Sequence, residues 1–290
     1  MIFPDSIDLH MHSTSSDGTD TPLELLKKVK DAGIGLFSLT DHDAIKGSAL
    51  ISSTRCNSDP AFLTGIECSC KDSNGKYHIL GYGYDPSAKA IRALVEKGHA
   101  MRMEKLEKRL RFLSETFDIH FPEEEIQRLY HMDNPGKPHL GNLMVKYGYA
   151  KTKDLAIQDF LNLDHSSSAY LQPQEAITAI RSSHGIPILA HPIFGSGSQM
   201  IRGEELKQRV GRLASFGLLG LEAFYSGFSE DMIEELIELG EHFDMYLTAG
   251  SDYHGSNKTV RLGETHLEEA QELPAGMTRF LEDTASRWNS

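Results

Sequence analysis

At 290 residues, with 39% hydrophobic and 24% charged residues, the chain can bury one large core, alone or with an inserted subdomain. No apolar run approaches the roughly 20 residues that span a bilayer, and Met1–Asp5 lack the basic start and apolar stretch of a secretory leader, so a cytoplasmic protein without membrane attachment is expected. The formal net charge of −13 opposes a long nucleic-acid partner but not a small phosphorylated substrate, because bound divalent cations invert the local field.

Ile7 to Met11 reads as a first strand, with His10 and His12 two residues apart on one face. Thr21-Pro22-Leu23-Glu24 is a capping box with Pro at the first helical position, Leu25, Leu26 and Val29 form that helix's apolar stripe, and Gly33 ends it. Leu36 to Leu39 is a second strand running into Asp41-His42-Asp43, and Phe62 to Glu67 a third. Asn74-Gly75 signals a hairpin, followed by a strand from Tyr77 to Tyr82 that carries His78. Cys56, Cys68 and Cys70 have no Cys-x-x-Cys spacing, so neither a disulfide framework nor a thiolate zinc site is expected. Cys68 and Cys70 alternate with Glu67, which puts them on the opposite face as packing residues.

Between Ala88 and Tyr170 the pattern becomes helical and charge-rich, and reads as an insertion over 88–170 into a domain built from 1–87 and 171–290. Strand–helix alternation resumes at Pro173. The strand Ile186 to Ala190 ends at His191, and Leu218 to Ala223 and Met245 to Ala249 are the last strands. Helices are expected between them, from about Glu204 to Phe216 and Ser229 to His242. Strand-like runs alternating with helices suggest an α/β fold, a parallel β/α barrel. His42, Glu67, His191 and Asp252 fall at or just past strand ends, on the face where such barrels assemble active sites.

Period-2 histidines alone are a modest signal, as is Asp-x-His after a late strand. Together with Thr40-Asp41-His42-Asp43 and Gly65-Ile66-Glu67 they point to a metal site. His99, His120, His131, His165, His184, His242 and His266 lack such company and read as surface or structural residues. The motifs Asp-Leu-His-Met-His-Ser, Ser16-Asp17-Gly18, Thr-Asp-His-Asp, Gly-Ile-Glu, His-Ile-Leu-Gly-Tyr, Ala-His-Pro and Gly-Ser-Asp-Tyr-His-Gly resemble, in the same order, the PHP (polymerase and histidinol phosphatase) family. The likeness is greatest to bacterial members with a helical insertion, among them nucleoside bisphosphate phosphatases and 5′-exonucleases acting on short RNA.

That resemblance implies a distorted seven-stranded β/α barrel with two or three divalent metal ions. It assigns His10, His12, Glu67 and Asp252 to one ion, lets Glu67 bridge to a second held by His78 and His191, and gives Asp17, His42 and His254 to a third. Oxygen and nitrogen donors without thiolate suit Mn2+, Fe2+ or Zn2+ alike. Asp17 also reads as an Asp-Gly turn residue. The expected reaction is attack of a metal-bridging hydroxide on phosphorus in a small nucleotide or sugar-phosphate monoester, with Glu67 central. Asp43 is a further candidate in catalysis, orienting His42 or a water, unless it simply caps the next helix.

For substrate contacts, Gly136-Lys137-Pro138-His139 stands where relatives carry Gly-Arg-Pro-His. This leaves Lys137 and His139 as phosphate contacts, with Arg102 as a further candidate unless it is a solvated helix residue. Tyr225 reads as either pocket lining or packing. Ile193-Phe194-Gly195-Ser196-Gly197 replaces a basic–aromatic pair of many relatives, which argues against a second phosphate pocket there. Alternatives are a cyclic phosphodiesterase of the same family, an amidohydrolase-type C–N hydrolase, and a polymerase accessory module with a decayed site.

Overall fold

The computed structural model describes residues 6–164, 169–195, 199–267 and 272–288. Met1–Asp5, His165, Ser196 and Gly197, on which expectations fell, lie outside the described residues. Among the described residues, eight strands form two sheets. In the first, β1 (Ile7–Asp8), β2 (Leu36–Phe37) and β3 (Ala61–Phe62) are parallel. In the second, β4 (Gly65–Asp72), β5 (Gly75–Tyr82), β6 (Ile186–Leu189), β7 (Gly220–Tyr225) and β8 (Tyr246–Gly250) follow chain order.

The α/β class holds, but the expected all-parallel order does not. In the second sheet β5 runs antiparallel to both of its neighbours, β4 and β6, while β6, β7 and β8 pair in parallel. The cause is local. Asp72 pairs with Gly75, so only Ser73 and Asn74 separate the strands, and a two-residue connection can join only antiparallel neighbours. Gly75 takes φ +140° there, a conformation side chains rarely adopt. The expected Phe62–Glu67 strand also breaks, ending as β3 at Phe62 and restarting as β4 at Gly65. Glu67 and His78 therefore lie within strands rather than at their ends.

The two sheets touch along both flanks. Leu9 N donates to Ala249 O at 2.9 Å and Met11 bridges Tyr253 on one side. Asp43 N donates to Glu67 O at 2.9 Å and His42 bridges Glu67 on the other. Candidate ligands thus sit on the seams themselves.

Helix α1 (Pro22–Asp31) has the expected capping box, with Thr21 N donating to Glu24 at 2.8 Å. A cap contributes about 1 kcal/mol, whereas fully burying a Leu or Val contributes ~1.5–3 kcal/mol. The buried Leu25 and Val29, packed with Met11, Phe37 and the Ile51 of α2 (Lys46–Thr54), are therefore what hold the helix in place. The segment read as an insertion contains α3 (Lys89–Phe117), α4 (Glu123–Tyr130), α5 (Lys137–Lys146) and α6 (Lys153–Ala156), which continues as a wide turn over Ile157–Leu161. Leu106, Leu113, Leu129, Leu140 and Met144 form a core of their own there, while Ile91 and Leu94 of α3 join the main core. α7 (Pro173–Ser182), α8 (Gly203–Ser215), α9 (Glu230–His242) and α10 (Ala275–Trp288) complete the helices. Among the described residues no helix is long and apolar enough to cross a membrane.

Candidate metal centre

His10 and His12 follow β1, while Met11 between them packs into the core under α1, as strand alternation requires. Two buried carboxylates hold the surrounding loops. Asp8 accepts from Ser251 N at 2.9 Å, Ser251 Oγ at 2.6 Å and Gly263 N at 2.9 Å, fixing the segment that bears Asp252 and His254. Asp41 accepts from Ser13 N at 2.8 Å and Ser16 Oγ at 2.7 Å, joining the Asp17 loop to the His42 loop. Burial pushes both carboxyls up, against these hydrogen bonds.

At the centre, Glu67 is fully buried. Its Oε2 lies 2.9 Å from His42 Nδ1, 3.1 Å from His12 Nε2 and 3.3 Å from His10 Nε2. Its Oε1 lies 2.9 Å from His78 Nδ1 and 3.4 Å from His191 Nε2. Asp252 Oδ1 faces His12 Nε2 at 3.3 Å and His10 Nε2 at 3.5 Å, and Asp17 Oδ1 faces His254 Nε2 at 3.2 Å. All the predicted ligands converge.

These approaches are close without hydrogen-bond geometry. Asp17 Oδ1, His42 Nδ1 and both Glu67 oxygens are buried with no hydrogen-bond partner. Buried polar atoms left in that state are costly, and shared cations between the facing lone pairs would satisfy them. Among the described residues, three overlapping groups have the spacing for a metal: His10, His12 and Glu67; His42, Glu67 and His78; and His12, Asp17, His42 and His254. His12 and His42 each belong to two groups, whereas the sequence reading gave each to one. The nitrogen and oxygen donor set fits Mn2+, Fe2+ or Zn2+.

Electrostatics agree with a cation-seeking cluster. Burial opposes charge on Glu67 and Asp17, yet the surrounding imidazoles hold both carboxyls well below their ordinary range. Burial lowers His42 too, but Glu67 and Asp17 outweigh it and raise it to about 9. His12 goes the other way, lowered to about 4 by burial and by His254 and His42. Asp43, His191 and Asp252 hold φ values of +48°, +29° and +58°. Left-handed backbone at non-glycine residues costs on the order of 1–3 kcal/mol each and is a mark of functional loops.

Behind the ligands, the fully buried Glu222 places Oε1 2.8 Å from His10 Nδ1 and accepts from His191 N at 2.7 Å through Oε2. It fixes the His10 ring, the support metal-binding imidazoles generally have, and anchors the backbone that carries His191. Asp43 lies outside these metal-spaced groups and does not occupy the helix cap. Ile45 caps α2, and Asp43 accepts from Ser69 N at 2.9 Å and Arg102 Nε at 2.8 Å. Arg102 is accordingly a half-buried ion-pair partner rather than a solvated helix residue. Tyr225 donates to Asp252 Oδ2 at 2.9 Å. His139 Nδ1 accepts from Gly136 N at 3.0 Å at the start of α5, and Lys137 Nζ donates to Asn162 Oδ1 at 2.5 Å.

A cavity of about 220 Å³ opens beside Asp17, His42 and His78, and its wall carries Lys76, Arg102, Lys105, Arg109 and Lys137. Lys76, Lys105 and Arg109 escaped the sequence reading, as did Glu222, Asp8, Asp41 and Lys258, whose ammonium meets Asp252 Oδ2. A signal was present for the wall: Arg102, Lys105 and Arg109 recur three and four residues apart, one face of a helix. Burial first, then the neighbouring cations, lowers Lys105 to about 7 and Lys137 to about 8. Lys105 Nζ stands 3.3 Å from the centre of the Tyr170 ring.

The chain is 26% identical over 271 residues to a 5′-3′ exoribonuclease of Haemophilus influenzae, an alignment covering 89% of this chain and 93% of that one. It is also 26% identical over 263 residues to a 3′,5′-nucleoside bisphosphate phosphatase of Chromobacterium violaceum, covering 88% and 90%. Among solved structures, a Chromobacterium violaceum amidohydrolase with bound sulfate and no metal superposes with a TM-score of 0.81 at 24% identity, over 96% of each chain. The family model for the PHP domain matches residues 8–161, so the chain belongs to the PHP family.

Proposed function

We propose that the chain is a metal-dependent phosphoesterase that hydrolyses a small phosphorylated metabolite, a nucleotide or sugar phosphate. The observation that carries this reading is the set of buried, partnerless oxygen and nitrogen atoms around Glu67, with a cationic cavity opening beside them. His10, His12, Glu67 and Asp252 would hold one divalent ion, His78 and His191 with Glu67 a second, and Asp17, His42 and His254 a third. When bound, such ions would supply an activated water at neutral pH and would neutralise charge at phosphorus. Glu222 and Asp8 keep the ligands in register, while Asp43 directs Arg102 toward the cavity. Lys137, His139 and Arg102, with Lys76, Lys105 and Arg109, attract and orient the phosphorylated group.

The Glu67–His42 and Met11–Tyr253 bridges support reading the two sheets as a distorted β/α barrel, and the separate helical core supports residues 88–170 as a cap over its mouth. The cationic wall, lying in a protein of net charge −13, also favours a second reading, the 5′ end of a short RNA; a long nucleic acid is disfavoured. A cytoplasmic location completes the proposal. The test is metal analysis of protein purified without chelators, combined with a phosphate-release screen over mononucleotides, nucleoside bisphosphates, sugar phosphates, cyclic phosphates and short 5′-phosphorylated RNA. Release that requires Mn2+, Fe2+ or Zn2+ supports the reading. Metal-replete protein inert toward every phosphoester, or active on amides and lactones instead, overturns it.

A further inference from the structure

The two oxygens of Asp252 have different surroundings. Oδ1 points inward, at the imidazoles of His10, His12 and His254. Oδ2 points away, and is taken by the Tyr225 hydroxyl at 2.9 Å and the Lys258 ammonium at 2.5 Å. Tyr225 is held by packing, and Lys258, with its side chain 38% exposed, springs from an anchored backbone. Tyr225 ends β7 and its ring is wedged against those of His191, Phe194 and Phe228, with centroids 5.6, 5.8 and 5.0 Å away. Lys258 follows a tight turn, Gly255–Asn257, anchored on two sides: Asn257 Nδ2 donates to Asp17 O at 2.7 Å, and Lys153 Nζ donates to Asn257 O at 2.7 Å.

From this geometry we propose that Tyr225 and Lys258 are positioning residues that confine Asp252 to one inward-facing oxygen. A carboxylate can bind an ion through one oxygen or both. With Oδ2 held by two donors, Asp252 offers one, and leaves a coordination position open for water and substrate, as catalytic sites require. The ammonium has a second consequence. It places a positive charge beside a seat for divalent cations, and so loosens metal binding there in exchange for an open position. The proposal rests on the reading of Asp252 as a metal ligand.

Opposite signs separate this role from a structural one. A support lost from the site would weaken metal binding and activity together. Removal of the clamp strengthens the first and weakens the second. The experiment strips the full-length protein with chelator and titrates Mn2+ by calorimetry in wild type, Lys258→Met, Lys258→Arg, Tyr225→Phe and Asp252→Asn, with circular dichroism to verify folding and phosphate release to give kcat. Lys258→Met should bind Mn2+ at least ten-fold more tightly while kcat falls at least ten-fold, with Lys258→Arg near wild type in both. Tyr225→Phe, which keeps the cation, should lower kcat with a smaller gain in affinity. Folded Lys258→Met with unchanged or weaker Mn2+ binding overturns the clamp. Wild-type Mn2+ binding in Asp252→Asn overturns the ligand assignment instead, so the two failures are distinguishable.

Discussion

Glu67 Oε2 stands 2.9 Å from His42 Nδ1, and neither atom has a hydrogen-bond partner. Both atoms border the same buried space, which a divalent cation would fill and a proton alone would not organise across so many imidazoles. Glu67→Gln keeps the shape but replaces one oxygen by an NH2 group, a donor unable to coordinate. The variant should lose most bound metal by elemental analysis and at least a hundred-fold in phosphate release. Full metal occupancy with near-normal turnover would refute the central role of this side chain.

Asp43 and Arg102 form a second testable pair, outside the ligand set. Asp43 is 4% exposed and the Arg102 side chain 19%, so the pair is largely shielded from water. Removing one partner of a buried pair costs about 3 kcal/mol, because the other charge stays buried alone. Arg102→Leu should therefore lower stability to urea by that order, and the double variant Asp43→Asn/Arg102→Leu should recover part of the loss. Full additivity of the two single changes would show the pair to be uncoupled.

The residues of the centre were legible because ligand chemistry restricts residue type. Few roles other than metal binding call for His10, His12, His42, Glu67, His78, His191, Asp252 and His254 in such motifs, and the structure brings them together. The supporting residues were not legible for the opposite reason. Glu222, Asp8 and Asp41 act through hydrogen bonds that close only in three dimensions, as with His10 Nδ1 and Glu222, 212 residues apart. The antiparallel course of β5 was half visible. Asn74-Gly75 announced the hairpin, but the alternation of helices and strands on either side suggested a parallel array. Lys76, distant in sequence from α3, joins the cationic wall only because that hairpin carries it there.

Lys105 gives the cavity a pH dependence near neutrality. Its folded value is lowered to about 7, by burial first and by Arg102 and Arg109 next. A lowered lysine is charged below that value and neutral above it, so anion attraction is present at pH 6.5 and fades as pH rises toward 8.5. KM for a phosphorylated substrate should rise several-fold across that interval. Lys105→Arg, which stays protonated, should flatten the profile. An identical KM profile in wild type and Lys105→Arg would exclude Lys105 as its source.

Gly250 closes β8 directly against the site. A Cβ there would meet His10 Cβ at 2.2 Å and Glu222 Oε1 at 2.6 Å, distances that require something to move. β8 cannot easily give way, since it is hydrogen-bonded to β7 along its length. His10 and Glu222 must therefore shift, and with them the ring orientation that the centre needs. Gly250→Ala should destabilise the protein by about 1–3 kcal/mol, the usual cost of overpacking, and should weaken Mn2+ binding. Gly211 on α8 is the control: a Cβ there meets only the Phe243 ring, no nearer than 3.3 Å, and alanine favours a helix by up to about 1 kcal/mol. Thermal unfolding and Mn2+ titration of both variants decide the matter. If Gly250→Ala binds metal as tightly as Gly211→Ala, close contact between β8 and His10 has no part in shaping the centre.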